Sequence, residues 1–283
     1  MNEPGPTPSG PADAIASDLG KRTASAIVLA ALAIAAVLLG GWPFVMFWAA
    51  AAIGVFWEWS AIVAGGAIAV MAAGVLALLS ATAAAGSGHF AVALAALAAG
   101  AIAVALLCVP RRRTWAAGGV FYAGIVLLAP VLLRRDPEFG RIAILFLFAV
   151  VWTTDIAGYF AGRAFGGPKL AAHISPKKTW SGACGGTIGA VAAGLLVVRS
   201  AENVAPIATA CVALALSIVS QGGDLVESAF KRRFGVKDAS HVIPGHGGLM
   251  DRLDGFIAAA GVAALVGLAR GGTEASARGL LLW

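Results

Sequence analysis

The chain has 283 residues, of which 12% are charged and 60% hydrophobic, with a net charge of +6. A soluble domain carries about 25% charged residues, and half of that share cannot cover a folded surface of this size with water-facing groups. The composition excludes a soluble enzyme, a nucleic-acid-binding domain and a disordered chain. It predicts an all-α, polytopic integral membrane protein.

The chain begins with a polar segment, 1–22, rich in proline, glycine and serine, which predicts a disordered cytoplasmic tail. Nine apolar runs of about 20 residues follow, each long enough to cross a bilayer. The transmembrane helices are predicted at 24–41, 43–63, 67–85, 89–109, 115–133, 142–163, 182–199, 206–227 and 253–269. Residues 23–141 would form an N-terminal group of helices, 142–270 a C-terminal transmembrane region and 271–283 a C-terminal tail.

The basic residues predict the orientation of these helices. With the N-terminus inside, the cytoplasmic segments hold 14 of the 20 lysines and arginines and the outer segments hold six, which agrees with the positive-inside rule. The weak point is the outer loop 134–141, which contains Arg134, Arg135 and Arg141. On this interpretation the positive charge serves cytoplasmic loops and anionic lipid headgroups, and nucleic acid is not a partner.

Charge is concentrated in two predicted cytoplasmic-side segments, 155–178 and 224–254, which hold 15 of the 34 charged residues. In the first, Asp155 lies inside an apolar helix and needs a partner or a metal. Residues 175–179 read Ser-Pro-Lys-Lys-Thr and precede a helix that begins near Gly182, an arrangement that suits an anion. The alternative is an ordinary basic loop.

The second segment pairs carboxylates on helices with basic residues between them. Asp224 and Ser228 are four residues apart and share a helix face, as do Asp251 and Asp254, which are three apart. Facing carboxylates suit Mg²⁺, which takes one or two of them together with substrate phosphates. The basic residues between them suit phosphate charge, and they are Lys231, Arg232, Arg233 and Lys237. The alternative is a salt-bridged loop.

At these residues the chain resembles a known family. Residues 228–254 read Ser-Ala-Phe-Lys-Arg, four further residues, Lys-Asp, and later Pro-Gly-His-Gly-Gly-Leu-Met-Asp-Arg-Leu-Asp. This run resembles, without a gap over 27 residues, the signature of the phosphatidate cytidylyltransferases, or CDP-diacylglycerol synthases. A second block, 153–182, is similar in its Gly-Tyr-Phe-x-Gly-Arg and Ser-Pro-x-Lys-Thr runs. One position departs from the family pattern, because Ser181 stands where a glutamate is usual.

The resemblance implies that the chain transfers CMP from CTP to phosphatidic acid in a bacterial-type inner membrane, with Mg²⁺ and the active site facing the cytoplasm. It implies a catalytic region at 142–270, with Asp224 and Asp251 as metal ligands. The expected catalytic residues are Asp224, Asp251, Asp254, Lys231, Arg232 and Lys237. The expected phosphate-binding residues are Ser175, Lys178, Thr179, Ser228, His246 and Arg252. A second cation, contact with membrane lipids and a homodimer are further expectations.

Three alternatives stay open. A secondary transporter or ion channel also places aspartates in membrane helices, but it predicts charges along a path near the midplane. A CDP-alcohol phosphotransferase needs an Asp-Gly-x-x-Ala-Arg core, whereas Asp254-Gly255 is followed by Phe256-Ile257-Ala258-Ala259. A pseudoenzyme or scaffold is the third alternative, because of Ser181.

Overall fold

The structure is a computed structural model that describes residues 11–199, 201–240, 242–243 and 247–283. Residues 1–10 of the predicted tail and the predicted phosphate-binding residue His246 lie outside these ranges. The first helix begins at Pro11, so the backbone of residues 11–22, which belong to the predicted tail, is helical. Proline suits the first helical position, and the following residues include several alanines, which favour a helix.

Ten α-helices span most of the described residues. They are α1 (Pro11–Leu39), α2 (Gly41–Ala64), α3 (Ile68–Gly86), α4 (Phe90–Leu107), α5 (Arg113–Arg134), α6 (Gly140–Phe165), α7 (Trp180–Val198), α8 (Pro206–Arg233), α9 (Met250–Gly271) and α10 (Ser276–Leu281). A 3₁₀ turn, Pro110–Arg112, leads into α5. The prediction of an all-α, polytopic membrane protein is thereby confirmed.

Eight described helices, α2 to α9, are long and apolar enough to cross a membrane, with α5 extended by its 3₁₀ turn. They coincide with the last eight of the nine predicted spans. The first predicted span, 24–41, falls on the apolar end of α1, Thr23–Leu39, which is shorter than the other eight.

A short antiparallel hairpin lies between α6 and α7, where the sequence predicted a loop. It consists of β1 (Lys169–Ala171) and β2 (Ser175–Thr179), with Lys169 paired to Thr179 and Ala171 to Ser175. Strands of three and five residues are too short for an alternating pattern to reveal them. The hairpin holds the Ser-Pro-Lys-Lys-Thr run against the ends of both helices.

Helices α6 and α7 approach each other closely through glycines. A Cβ atom on Gly186 would lie 2.5 Å from the Thr154 carbonyl oxygen, and one on Gly182 would lie 2.8 Å from the Gly158 carbonyl oxygen. Small residues allow this backbone contact between membrane helices. The contact brings Asp155 of α6 near the start of α7.

Helix α2 packs against the two helices that carry most of the predicted site. The Trp59 ring stacks on the Phe230 ring of α8 with centroids 3.9 Å apart, and Trp48 stacks on Phe256 of α9 at 4.9 Å. Aromatic rings bury much apolar area and pack with defined geometry. The N-terminal helices are therefore in direct contact with the C-terminal region.

The outer loop that was the weak point of the topology forms ion pairs with the C-terminal residues of the chain. The Asp136 carboxylate is fully buried and accepts hydrogen bonds from the backbone N–H groups of Glu138, Phe139 and Arg278 and from the Arg278 side chain. Burial raises the pKa of Asp136, but these hydrogen bonds outweigh that effect and leave the pKa below its usual value. Arg135 pairs with Glu274 at 3.2 Å. The predicted tail 271–283 thus folds back, through α10, onto this loop.

Candidate active site

One cavity of about 620 Å³ lies among α6, the β-hairpin, α7, α8 and α9. Eight charged side chains line it, four acidic and four basic, and they come from both charge-rich segments. They are Asp155, Asp224, Asp251, Asp254, Arg163, Lys177, Lys178 and Arg252. The structure therefore joins in one site two segments that are separate in the sequence.

Asp224 links the two segments directly. Its Oδ2 atom lies 2.5 Å from Lys178 Nζ at the end of β2, and both side chains are about one-third exposed. The Ser228 hydroxyl, one helical turn along α8, donates to Asp224 Oδ1 at 3.3 Å. The predicted shared face of Asp224 and Ser228 is confirmed, and Ser228 contacts the carboxylate.

Asp251 is held from several sides. Its Oδ1 accepts from Lys231 Nζ at 2.6 Å, and its Oδ2 accepts the N–H groups of Ala239 and Gly248 at 3.0 and 2.8 Å. Lys231 Nζ also lies 2.7 Å from Oε2 of the buried Glu227. Charge-assisted hydrogen bonds of this kind fix a carboxylate strongly, so Asp251 has one defined orientation at the cavity wall.

The remaining two acidic groups complete the cavity. Asp254 Oδ1 accepts the backbone N–H of Gly255 at 2.7 Å, and Asp155 enters from α6. Among the described residues, no three histidine, cysteine, aspartate or glutamate side chains are grouped closely enough to hold a metal by themselves. Mg²⁺ commonly takes only one or two protein carboxylates and completes its shell with water and phosphate oxygens. The donor set therefore fits Mg²⁺ bound together with a phosphate ligand.

Five of the predicted site residues that the structure describes lie away from the cavity lining, and one of them is Ser228, which contacts Asp224. Arg232 is exposed in the last turn of α8, and Lys237 is exposed beyond the end of that helix. Ser175 begins β2 and pairs with Ala171. Lys231 lies behind the wall, where Glu227 and Asp251 occupy its ammonium group. Of the predicted phosphate-binding residues, Lys178, Thr179 and Arg252 line the cavity.

Thr179 and the divergent Ser181 act at the start of α7. Thr179 Oγ1 accepts the N–H of Gly182 at 3.2 Å and caps the helix. Ser181 donates to the Gly166 carbonyl oxygen and lies 3.1 Å from Thr179 Oγ1. Ser181 is not part of the cavity lining. The position that departs from the family pattern therefore joins the start of α7 to Gly166, the residue that follows α6.

The sequence prediction missed several cavity residues, and one signal could have found two of them. Asp155, Tyr159 and Arg163 recur every four residues along α6 and therefore share one face, and all three line the cavity. Gln221 of α8 also lines it and donates to Thr187 Oγ1 at 3.0 Å. A single glutamine in an apolar helix carries no comparable pattern.

Similarity to known proteins covers nearly the whole chain. The sequence model of the cytidylyltransferase family matches residues 20–269. The phosphatidate cytidylyltransferase of Brucella suis biovar 1 (strain 1330) is 44% identical over 263 residues, which are 89% of this chain and 94% of the relative. The enzymes of the same name from Haemophilus influenzae and Bacillus subtilis are 40% and 38% identical over 147 and 137 residues, each about half of both chains.

Proposed function

The chain belongs to the cytidylyltransferase family, and from this premise we propose that it transfers CMP from CTP to phosphatidic acid, which gives CDP-diacylglycerol and pyrophosphate. The observation that carries the proposal is the single cavity in which four carboxylates and four basic groups meet among membrane-spanning helices. A triphosphate, a lipid phosphate and a divalent cation need such a mixture of charges.

The reaction needs positioning more than proton transfer. A phosphate oxygen of phosphatidic acid forms a bond to the α-phosphorus of CTP, while the bond from that phosphorus to the α,β-bridging oxygen breaks and pyrophosphate leaves. The lipid phosphate is largely ionised at neutral pH, since the second pKa of a phosphate monoester is about 6. Catalysis then consists of holding two anions together and offsetting their charge, for which Lys178 and Arg252 line the cavity.

Asp224 and Asp251 are the residues that would hold Mg²⁺. A bound Mg²⁺ would offset the charge of the triphosphate and of the leaving pyrophosphate. Each carboxylate now contacts a lysine ammonium, Lys178 for Asp224 and Lys231 for Asp251, so both sites already attract cations. Asp155 and Asp254 leave further carboxylates in the same cavity for a second cation.

The cavity would face the cytoplasm of a bacterial inner membrane. Two contacts support this orientation, because each of them joins segments that were predicted on the same side of the membrane. Arg112 of the α4–α5 turn lies over the Phe234 ring at the end of α8, 5.9 Å from its centroid. At the other end, Arg135 meets Glu274. Four of the 14 basic residues predicted inside line the cavity, namely Arg163, Lys177, Lys178 and Arg252, which supports this orientation, and the relatives are bacterial. The homodimer stays a prediction.

The transporter and channel alternative has no support in the structure of the described residues. The charged side chains of the cavity lie on the C-terminal halves of α6 and α8, on the hairpin and in the first turn of α9, and the family to which the chain belongs is one of cytidylyltransferases. Membership in the cytidylyltransferase family also leaves the CDP-alcohol phosphotransferase alternative without support.

The experiment that tests the function uses purified protein in detergent with labelled CTP, phosphatidic acid and Mg²⁺. We expect label to appear in a lipid-soluble product only when all three are present. Diacylglycerol in place of phosphatidic acid should give no product, because it lacks the phosphate nucleophile. No lipid product across a range of acyl chains and divalent cations would contradict the proposal.

The lipid would enter from the α6 side, where the cavity meets the membrane. Tyr159 and Phe160 on this helix are 59% and 64% exposed, and aromatic side chains of this kind favour the membrane interface. Arg163 donates to the Tyr159 hydroxyl at 2.9 Å, and within the described residues no carboxylate pairs with it. Its guanidinium is therefore available to the phosphate of phosphatidic acid.

Replacing Arg163 by alanine should selectively weaken the binding of the lipid substrate. A hydrogen bond to a charged group is worth about 1.5–3 kcal/mol, so the apparent KM for phosphatidic acid should rise about 10- to 100-fold, while the KM for CTP changes less than about twofold. Kinetics in mixed micelles at varied lipid mole fraction measure both constants. Arg199→Ala removes a positive charge at the far end of α7 and is the matched control. Equal increases in both KM values would contradict the assignment.

A further inference from the structure

Glu58, near the end of α2, is a buried carboxylate with unusually complete bonding. It is 1% exposed. Its Oε1 accepts from the Ser240 hydroxyl at 2.6 Å and the Leu249 N–H at 2.7 Å, and its Oε2 accepts the Met250 N–H at 2.6 Å. Among the described residues, no lysine or arginine forms an ion pair with it. All three donors lie 182 to 192 residues further along the chain.

These donors lie at the two ends of one functional segment. Leu249 and Met250 begin α9, where the first N–H groups of a helix have no partner within it. A carboxylate at this end of a helix is favourable, because the helix dipole is positive there. Asp251 is the next residue, so Glu58 fixes the helical turn from which the cavity carboxylate projects.

Asp251 holds the same segment from the opposite side. Its Oδ2 accepts the N–H groups of Ala239 and Gly248, while Glu58 bonds Ser240, Leu249 and Met250. The two carboxylates therefore accept from neighbouring residues at 239–240 and again at 248–250. Any shift of this segment must break bonds to both of them.

The surface of α2 is shaped for this contact. A Cβ atom on Gly54, one turn before Glu58, would lie 2.8 Å from the Leu249 side chain. A Cβ atom on Gly248 would lie 2.8 and 2.9 Å from the two carboxylate oxygens of Glu58. Glycines at both positions allow the backbone of the segment to approach the helix closely.

We propose that Glu58 is a positioning residue for the reaction, which rests on the proposed function. It fixes the start of α9 and Ser240, and thereby the orientation of Asp251, without touching the substrates. The N-terminal helices then supply part of the site's framework from a region outside the expected catalytic part, 142–270.

The test compares Glu58→Gln and Glu58→Ala with the wild-type full-length protein in detergent. Glutamine keeps one acceptor oxygen but turns an N–H₂ group toward the Met250 N–H, whereas alanine removes all three bonds. We expect kcat to fall about 10-fold in Glu58→Gln and about 100-fold in Glu58→Ala. The KM for phosphatidic acid should change less than about twofold, and half-maximal activity should need more Mg²⁺.

A second readout is independent of activity. Amide hydrogen exchange without substrates should accelerate at least about 10-fold in peptides that cover 239–251 and stay unchanged in α7. Ser60→Ala, which removes a buried hydroxyl two residues further along α2, is the control and should leave exchange and kinetics unchanged. Ser240→Ala removes one of the three bonds from the other side, and it should accelerate the same peptides to a smaller degree.

The outcomes separate the proposal from its alternatives. The proposal would be overturned if amide hydrogen exchange in peptides that cover 239–251 were as slow in both Glu58→Gln and Ser240→Ala as in the wild type. This holds even if Glu58→Gln is less stable. Faster exchange with unchanged kcat and Mg²⁺ dependence per folded enzyme would also overturn it, because Glu58 would then support the loop without serving the reaction. If Glu58→Gln does not fold, the same two measurements on Ser240→Ala, hydrogen exchange in 239–251 and kcat with its Mg²⁺ dependence, decide the question. A wild-type protein that forms no CDP-diacylglycerol would contradict the proposed function and leave the exchange result intact.

Discussion

Replacing Asp251 by asparagine is expected to lower the rate of CDP-diacylglycerol formation by about 10³-fold or more. Asparagine keeps the size of the side chain but removes the negative charge that would hold Mg²⁺. It also turns an N–H₂ group toward either the Lys231 ammonium or the N–H groups of Ala239 and Gly248, all of which now donate to Asp251. Both the charge and the local bonding of the site are therefore lost.

Transfer of label from CTP to lipid at saturating substrates measures this loss. Glu202→Gln, an exposed position between α7 and α8, removes one negative charge far from the cavity and should retain wild-type activity. Activity in Asp251→Asn within tenfold of wild type would show that Asp251 is not a metal ligand in the reaction. Thermal unfolding of the variants in detergent shows whether the loss comes from the site or from the fold.

The Asp224→Asn variant should lose about 10²- to 10³-fold in kcat. This carboxylate lies 2.5 Å from Lys178 Nζ and accepts from Ser228, so the substitution removes a proposed metal ligand and also frees Lys178. A freed lysine can contact phosphate directly, and we therefore expect the KM for CTP to stay the same or to fall. The effect of the Asp224→Asn substitution should thus appear as a lower kcat.

Initial rates at varied CTP and Mg²⁺ concentrations test this expectation. In the wild type, added Mg²⁺ should raise activity to a plateau, whereas Asp224→Asn should reach only a small part of that plateau at any concentration. Full recovery at high Mg²⁺ would mean that Asp224 contributes affinity only. An unchanged kcat would contradict its role as a ligand in the reaction, and Glu202→Gln again serves as the control.

Much of this site was readable in the sequence because its geometry is local. Asp224 and Ser228 on α8 and the start of α9 at Asp251 follow helix periodicity, and the apolar runs predicted the spans. The lysines and arginines of 231–237 were harder to assign, since a basic run does not show which side chain points inward. The Lys231 ammonium group contacts Glu227 and Asp251, whereas the side chains of Arg232 and Lys237 are exposed to water.

Contacts between distant parts of the chain were outside the reach of sequence patterns. The hydrogen bond that the Met250 N–H donates to Glu58 joins residues 192 positions apart, and no periodicity within α2 predicts it. The buried Asp136 and its partner Arg278 are 142 residues apart, and Glu274, which pairs with Arg135 of the arginine-rich outer loop, is similarly distant in the sequence. Both carboxylates depend on the packing of helices that the sequence predicts only one at a time.

The most direct test of the proposed reaction follows the α-phosphorus of CTP and the phosphorus of phosphatidic acid through one turnover of the purified protein. CTP labelled at its α-phosphorus and unlabelled phosphatidic acid are mixed with Mg²⁺, and lipid and aqueous products are separated. We expect one α-label in the lipid for each pyrophosphate released, and phosphorus NMR should show a diphosphate that joins the cytidine to the diacylglycerol. Label that stays in the aqueous phase, or transfer of the γ-phosphate to the lipid in its place, would contradict the proposed reaction.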